Sequence, residues 1–163
     1  MKSLPKSIRN VKGFTLIELL VVIGILAILL SIVLIAINPA RQFGQANNTR
    51  RQSDVTAILN AIGAYSADHA GDLPTGIPVG SGSAVMIGNG TGQADLCSQL
   101  VTNYMPALPT DPQFGQGTTG VGSAVTDCSS AYNTDYTVYQ DASHRVTVSA
   151  PDAQNGALIY NTR

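Results

Sequence analysis

A single carboxylate, Glu18, stands inside an otherwise apolar run, FTLIELLVVIGILAILLSIVLIAIN, from Phe14 to Asn38. The other polar members of this run are Thr15, Ser31 and the terminal Asn38. A charged group at mid-bilayer costs roughly 2.5–3.5 kcal/mol on insertion scales, and less near a helix end, so an acid here calls for a partner. Nothing in the run is basic. Cutting the chain after Gly13 would supply a base, the positive α-amine of Phe14, able to meet Glu18 in its own chain or in a neighbouring copy. Between copies such a pair would set the axial register of helices that otherwise slide freely. In apolar surroundings it gives specificity more surely than net stability. An isolated glutamate near a helix end would ordinarily snorkel to the interface. The basic stretch and the Gly13-Phe14 junction beside Glu18 weigh against that reading here.

The remaining reactive side chains offer less. Cys97 and Cys128 lie in the polar half of the chain, and outside the cytoplasm a disulfide is their default state. No Cys-x-x-Cys pair exists, and His69 and His144 are isolated, so no metal site is expected and each histidine reads as a solvated or capping residue. Asp68, Asp72, Asp111, Asp127, Asp135 and Asp141 lack the spacing of a calcium loop, and the solvated-loop reading is favoured for them. No Gly-x-Ser-x-Gly, phosphate loop or paired zinc-ligand motif appears, so neither catalysis nor a cofactor is expected.

These residues need elements to position them. Residues 1–13 (MKSLPKSIRNVKG) hold four of the nine basic residues, Lys2, Lys6, Arg9 and Lys12. The 25-residue apolar run that follows exceeds the ~20 residues needed to cross a bilayer as helix. It is apolar all round, whereas a core helix of a globular domain shows a polar face. The basic flank places the N-terminus on the cytoplasmic side. A secretory signal would have a shorter apolar region closed by a small-residue cleavage site, and neither feature is present. Pro39 ends or kinks the helix, and Gly44 adds a second weak point. Periodicity then resumes with Val55, Ile58, Leu59, Ile62 and Tyr65 on one face, and Arg50, Arg51, Asp54, Asn60 and Asp68 on others. The pattern predicts one long helix from about Phe14 to His69, loosened near Pro39 to Gly44 and stopped by Gly71-Asp72-Leu73-Pro74.

From Gly71 to about Ser130 the chain is rich in Gly, Ser, Thr, Asn and Pro, which favours loops and short strands. A short helix is expected around Ala94–Tyr104. Tyr136–Tyr139 and Arg145–Val148 flank the polar Asp141–His144 and signal a hairpin, and Leu158-Ile159-Tyr160 would add a strand. The expected fold is α+β: a long helix whose second half packs on a small antiparallel sheet of three or four strands. The expected segments are a cytoplasmic leader (1–13), a transmembrane helix (14–38), its amphipathic continuation (39–70) and a globular head (71–163).

The stretch KGFTLIELLVVIGILA, from Lys12 to Ala27, resembles the class III signal of type IV prepilins and type II secretion pseudopilins. YSADHAGDLP, from Tyr65 to Pro74, is similar to the helix exit of many of these proteins. The resemblance implies that a prepilin peptidase cuts between Gly13 and Phe14 and N-methylates Phe14. It also implies that Glu18, with Thr15 beside it, serves methylation or docking of the subunit. The implied partners are other copies of the chain and other pilins, the peptidase, an inner-membrane assembly platform with its ATPase, and membrane lipid before assembly. The precursor would sit in the inner membrane with its head outside, and the assembled form would be a surface pilus for adhesion, twitching motility or DNA uptake. A pseudopilin or minor pilin, and a non-polymerising membrane protein with an outer binding domain, are the rival expectations. Beyond residue 13 five arginines face ten acids, a balance of -5 without lysine. No basic patch with interleaved aromatics points to duplex nucleic acid, though DNA uptake through a few exposed groups stays open.

Overall fold

The computed structural model describes residues 13–163. The basic leader, with Lys2, Lys6, Arg9 and Lys12, lies outside the described residues. The chain divides into two compact units at Pro39/Ala40. The first contains α1, Leu16–Ile37. Its 22 residues make about 33 Å of helix, enough to cross a hydrocarbon core of about 30 Å. None of its side chains is buried among the described residues, and apolar residues cover every face. Lipid or other helices are therefore the only solvent that suits it.

The expected single long helix is instead two. Asn38 takes a left-handed conformation, φ 46°, which asparagine tolerates better than most residues. Pro39 then opens α2, Pro39–Asp68, at the one helical position where its missing N–H costs nothing. The break falls where Pro39 predicts it. Gly44 does not loosen the helix: it lies buried inside α2. A methyl group there would stand 2.7 Å from the Asn155 Nδ2, so the glycine admits a close approach by that side chain. At its far end α2 gives way to Ala70 and Gly71, both with positive φ, and the Gly71 N–H donates back to the Ser66 carbonyl at 2.9 Å.

In the second unit the described residues form an antiparallel sheet of six strands, two more than the largest expected number: β1 Val85–Gly88, β2 Gln116–Gly117, β3 Gly120–Val121, β4 Asn133–Gln140, β5 Val146–Ala150 and β6 Ile159–Thr162. The order is β3-β2-β4-β5-β6, with β1 also paired to β4. The additional strands β2 and β3 have two residues each, too short to leave a period-2 pattern in the sequence. The β4–β5 hairpin and β6 match expectation closely. The helix expected near Ala94–Tyr104 shrinks to one turn, α3, Cys97–Leu100. Val55, Ile58, Leu59 and Ile62 of α2 form one core with Ile87, Leu100, Tyr136, Val138 and Val148.

Candidate functional site

The N-terminal segment folds around Glu18. Thr15 is the N-cap of α1, and its hydroxyl accepts from the Glu18 N–H at 3.3 Å. Glu18 returns the contact: its Oε2 accepts from the Thr15 N–H at 2.7 Å and from the Thr15 hydroxyl at 2.6 Å. This reciprocal capping box satisfies donors that the first helical turn leaves unpaired, and it places a carboxylate at the positive end of the helix dipole. Gly13 and Phe14 precede the helix in non-helical, exposed backbone, and Phe14 is open to contact. The junction is therefore accessible, and Glu18 is held one turn from it.

The head is held together by polar groups that pattern reading assigned elsewhere. Arg51 was expected on an outer face; it is 0% exposed and continues the apolar stripe, one turn before Val55. Its guanidinium grips Asp111 with two bonds, Nε to Oδ2 at 2.5 Å and Nη2 to Oδ1 at 3.1 Å. Nη1 donates to Asn48 Oδ1 at 3.0 Å, and Nη2 also to Gln113 Oε1 at 3.3 Å. Asp111 Oδ1 further accepts the N–H groups of Gln113 and Phe114. Burial pushes the Asp111 carboxyl up, but Arg51 and these two N–H groups outweigh it and hold the carboxyl below its usual range. The spacing of 51 to 55, 58 and 62 was the signal for this burial.

Two further anchors flank it on α2. Asn48 Nδ2 donates to the Gln154 carbonyl at 2.7 Å and its Oδ1 accepts the Gln154 N–H at 2.9 Å, while Asn47 reaches the Gln154 side chain. Asp54 accepts from the Tyr136 hydroxyl of β4 at 2.8 Å. Burial raises the Asp54 pKa, partly offset by that bond and by Arg50.

Cys97 and Cys128 form the expected disulfide, with a Cα–Cα distance of 5.4 Å inside the ordinary range. The bond closes a loop across 31 positions of a segment rich in glycine, threonine and proline. Replacing both cysteines with serine should lower the unfolding free energy by roughly 3–4 kcal/mol on the chain-entropy argument. Urea unfolding of the oxidised protein against the double variant measures this, and a loss under about 1 kcal/mol would show that the loop is ordered without its bridge.

The remaining candidates do not converge. His69 stacks on Tyr65, ring centroids 3.9 Å apart, and its Nδ1 lies 2.8 Å from the Tyr65 carbonyl. His144 sits in the β4–β5 turn against Gln140. Among the described residues no three His, Cys, Asp or Glu side chains gather as a metal set.

Residues 8–34 match the family model described as the prokaryotic N-terminal methylation motif, the class III signal peptide of type IV prepilins and pseudopilins. Comparison with curated proteins and with solved structures gave no match.

Proposed function

From a chain that carries this prepilin-type signal, we propose a structural subunit of a type IV pilus filament, cut between Gly13 and Phe14, methylated at Phe14 and polymerised through α1. One observation carries the reading. A capped carboxylate, Glu18, stands at the head of an apolar helix with no buried residue among those described, beside an exposed glycine–aromatic junction. The cut would remove Lys2, Lys6, Arg9 and Lys12 and create one α-amine on Phe14 beside Glu18.

Before the cut, residues 14–38 hold the precursor in the inner membrane, with the leader (1–13) on the cytoplasmic side and the continuation (39–70) and head (71–163) outside. The disulfide supports that side for the head, since such bonds persist outside the reducing cytoplasm. On assembly α1 exchanges lipid for neighbouring helices, so its apolar surface stays out of water. The partners are then other copies and other pilins, with the prepilin peptidase, an assembly platform and its ATPase acting on the way. The pseudopilin reading shares the matched residues 8–34 and differs in the length and place of the filament.

Mass analysis of the protein in sheared surface filaments tests both points. Abundant chains beginning at N-methylated Phe14 are the expected result. A mature chain that retains residues 1–13 would end the reading, and methyl-Phe14 found only in the membrane fraction would favour the pseudopilin form.

A further inference from the structure

One buried carboxyl takes no part in any of these contacts. The pairing of β1 with β4 slips between Met86 and Gly88, opposite the stretch from Asn133 to Thr137, and Asp135 falls in that slip with φ 63°. Asp135 is 8% exposed, and its Oδ2 is buried with no hydrogen-bond donor against it. Three charged groups face it. Asp152 comes from the β5–β6 loop and lies within hydrogen-bonding reach, Asp111 comes from the turn before β2, and Arg51 comes from α2. Arg51 gives it no counterion in contact, because Nε, Nη1 and Nη2 are all committed to Asp111, Asn48 and Gln113. A buried carboxylate without a counterion and beside a second carboxyl is a high-energy state, and uptake of a proton relieves it.

We propose that Asp135 holds a proton under mildly acidic conditions and donates it to the Asp152 carboxylate, forming an acid latch between β4 and the β5–β6 loop. A divalent cation is the other way to neutralise the pair. It wants six to eight oxygens, no third acidic side chain joins to form a metal set among the described residues, and the Arg51 charge stands nearby. Burial, then the bond and charge of Asp152, and the charge of Asp111 push the Asp135 carboxyl up to about 7, with Arg51 offsetting part. The latched loop is the one whose Gln154 and Asn155 bond to α2. It also borders the open groove between α2 and Leu158.

The sign follows from the raised value. The folded state binds this proton more tightly than the unfolded chain, whose aspartates titrate near ~3.9, so the contribution of Asp135 to stability is fully present below that pH and is lost as pH rises through about 7. Between pH 5 and 8 the carboxylates held below their usual range, Asp111, Asp127 and Asp141, are ionised in both states and add no slope.

The test is thermal unfolding of the full-length protein in detergent across pH 5 to 8, with carbon-13 carboxyl NMR of Asp135. Wild type should lose several degrees in Tm over that range, and the Asp135 carboxyl should titrate well above the ordinary aspartate value. Asp135→Asn keeps a donor toward Asp152 and tolerates the left-handed backbone. It should flatten the slope and match or exceed wild type at pH 8. Asp152→Asn should lower the Asp135 titration midpoint by a unit or more, a reading that survives even if Asp135→Asn folds poorly. An Asp135 that titrates near 4, or an Asp135→Asn variant with the wild-type slope, overturns the latch. So does millimolar calcium that raises Tm at pH 8 in wild type but not in Asp135→Asn, since the occupant is then a cation.

Discussion

Arg51→Met should lower the stability of the protein by roughly 3–5 kcal/mol, the range found when one partner of a buried ion pair is removed. Methionine fills much of the volume of arginine, so the loss is electrostatic rather than a cavity effect. Asp111 is 1% exposed and would keep only the N–H groups of Gln113 and Phe114. A domain of this size is stable by about 5–15 kcal/mol in all, so the variant would stand near its unfolding threshold. The double variant Arg51→Met/Asp111→Leu should recover most of the loss, because an apolar pair of similar volume has no charge to desolvate. Urea unfolding of the three proteins decides the matter. A single variant within about 1 kcal/mol of wild type would mean that Asp111 reaches water once Arg51 is gone. The pH dependence runs opposite to that of the Asp135 latch. The Asp111 carboxyl lies below its usual range, so its contribution is present above about pH 4 and is lost as pH falls through the folded-state value.

Glu18→Ala should abolish incorporation into filaments, a loss of tenfold or more in the sheared surface fraction, while leaving the protein in the membrane. The apolar length of α1 is untouched by the change, so insertion persists. Losing the capping box costs about 1 kcal/mol at one helix end, too little to unfold a helix already held by its surroundings. What disappears is the only acid in α1 and with it the group that would answer the proposed Phe14 amine. Glu18→Gln separates cap from charge, since glutamine can still accept from Thr15. If charge pairing sets the register, Glu18→Gln fails as Glu18→Ala does. Wild-type filament yield from Glu18→Ala would remove the docking role of this residue.

The apolar run, its acid and the Gly-Phe junction were legible because each rests on local composition, and a bilayer needs no tertiary detail to be inferred. The β4–β5 hairpin was legible for a similar reason: alternating strands and a polar turn lie side by side in sequence. The break at Pro39 followed from a missing N–H. Gly44 was misread because its need for space comes from Asn155, more than a hundred positions away. Arg51 was set on an outer face because arginine is usually solvated, although its spacing to Val55, Ile58 and Ile62 places it on the buried stripe. The strand pairs β1–β4 and β2–β4 are long-range contacts between short segments, and nothing local announces them. Asp135 reads from sequence like the solvated aspartates around it, since its burial depends on a slip in pairing that only the folded sheet creates.

Asn48, Arg51 and Asp54 stand three residues apart on α2, and each fastens to a different part of the head: the Gln154 loop, the Asp111 turn and Tyr136 of β4. A force directed along the axis of α2 would load these three fastenings together, in shear, and not peel them one after another. The arrangement resembles rivets set in a row along the line of pull. For a subunit proposed to be built into a filament, it means that mechanical failure requires several polar contacts and the core beneath them to give way at once.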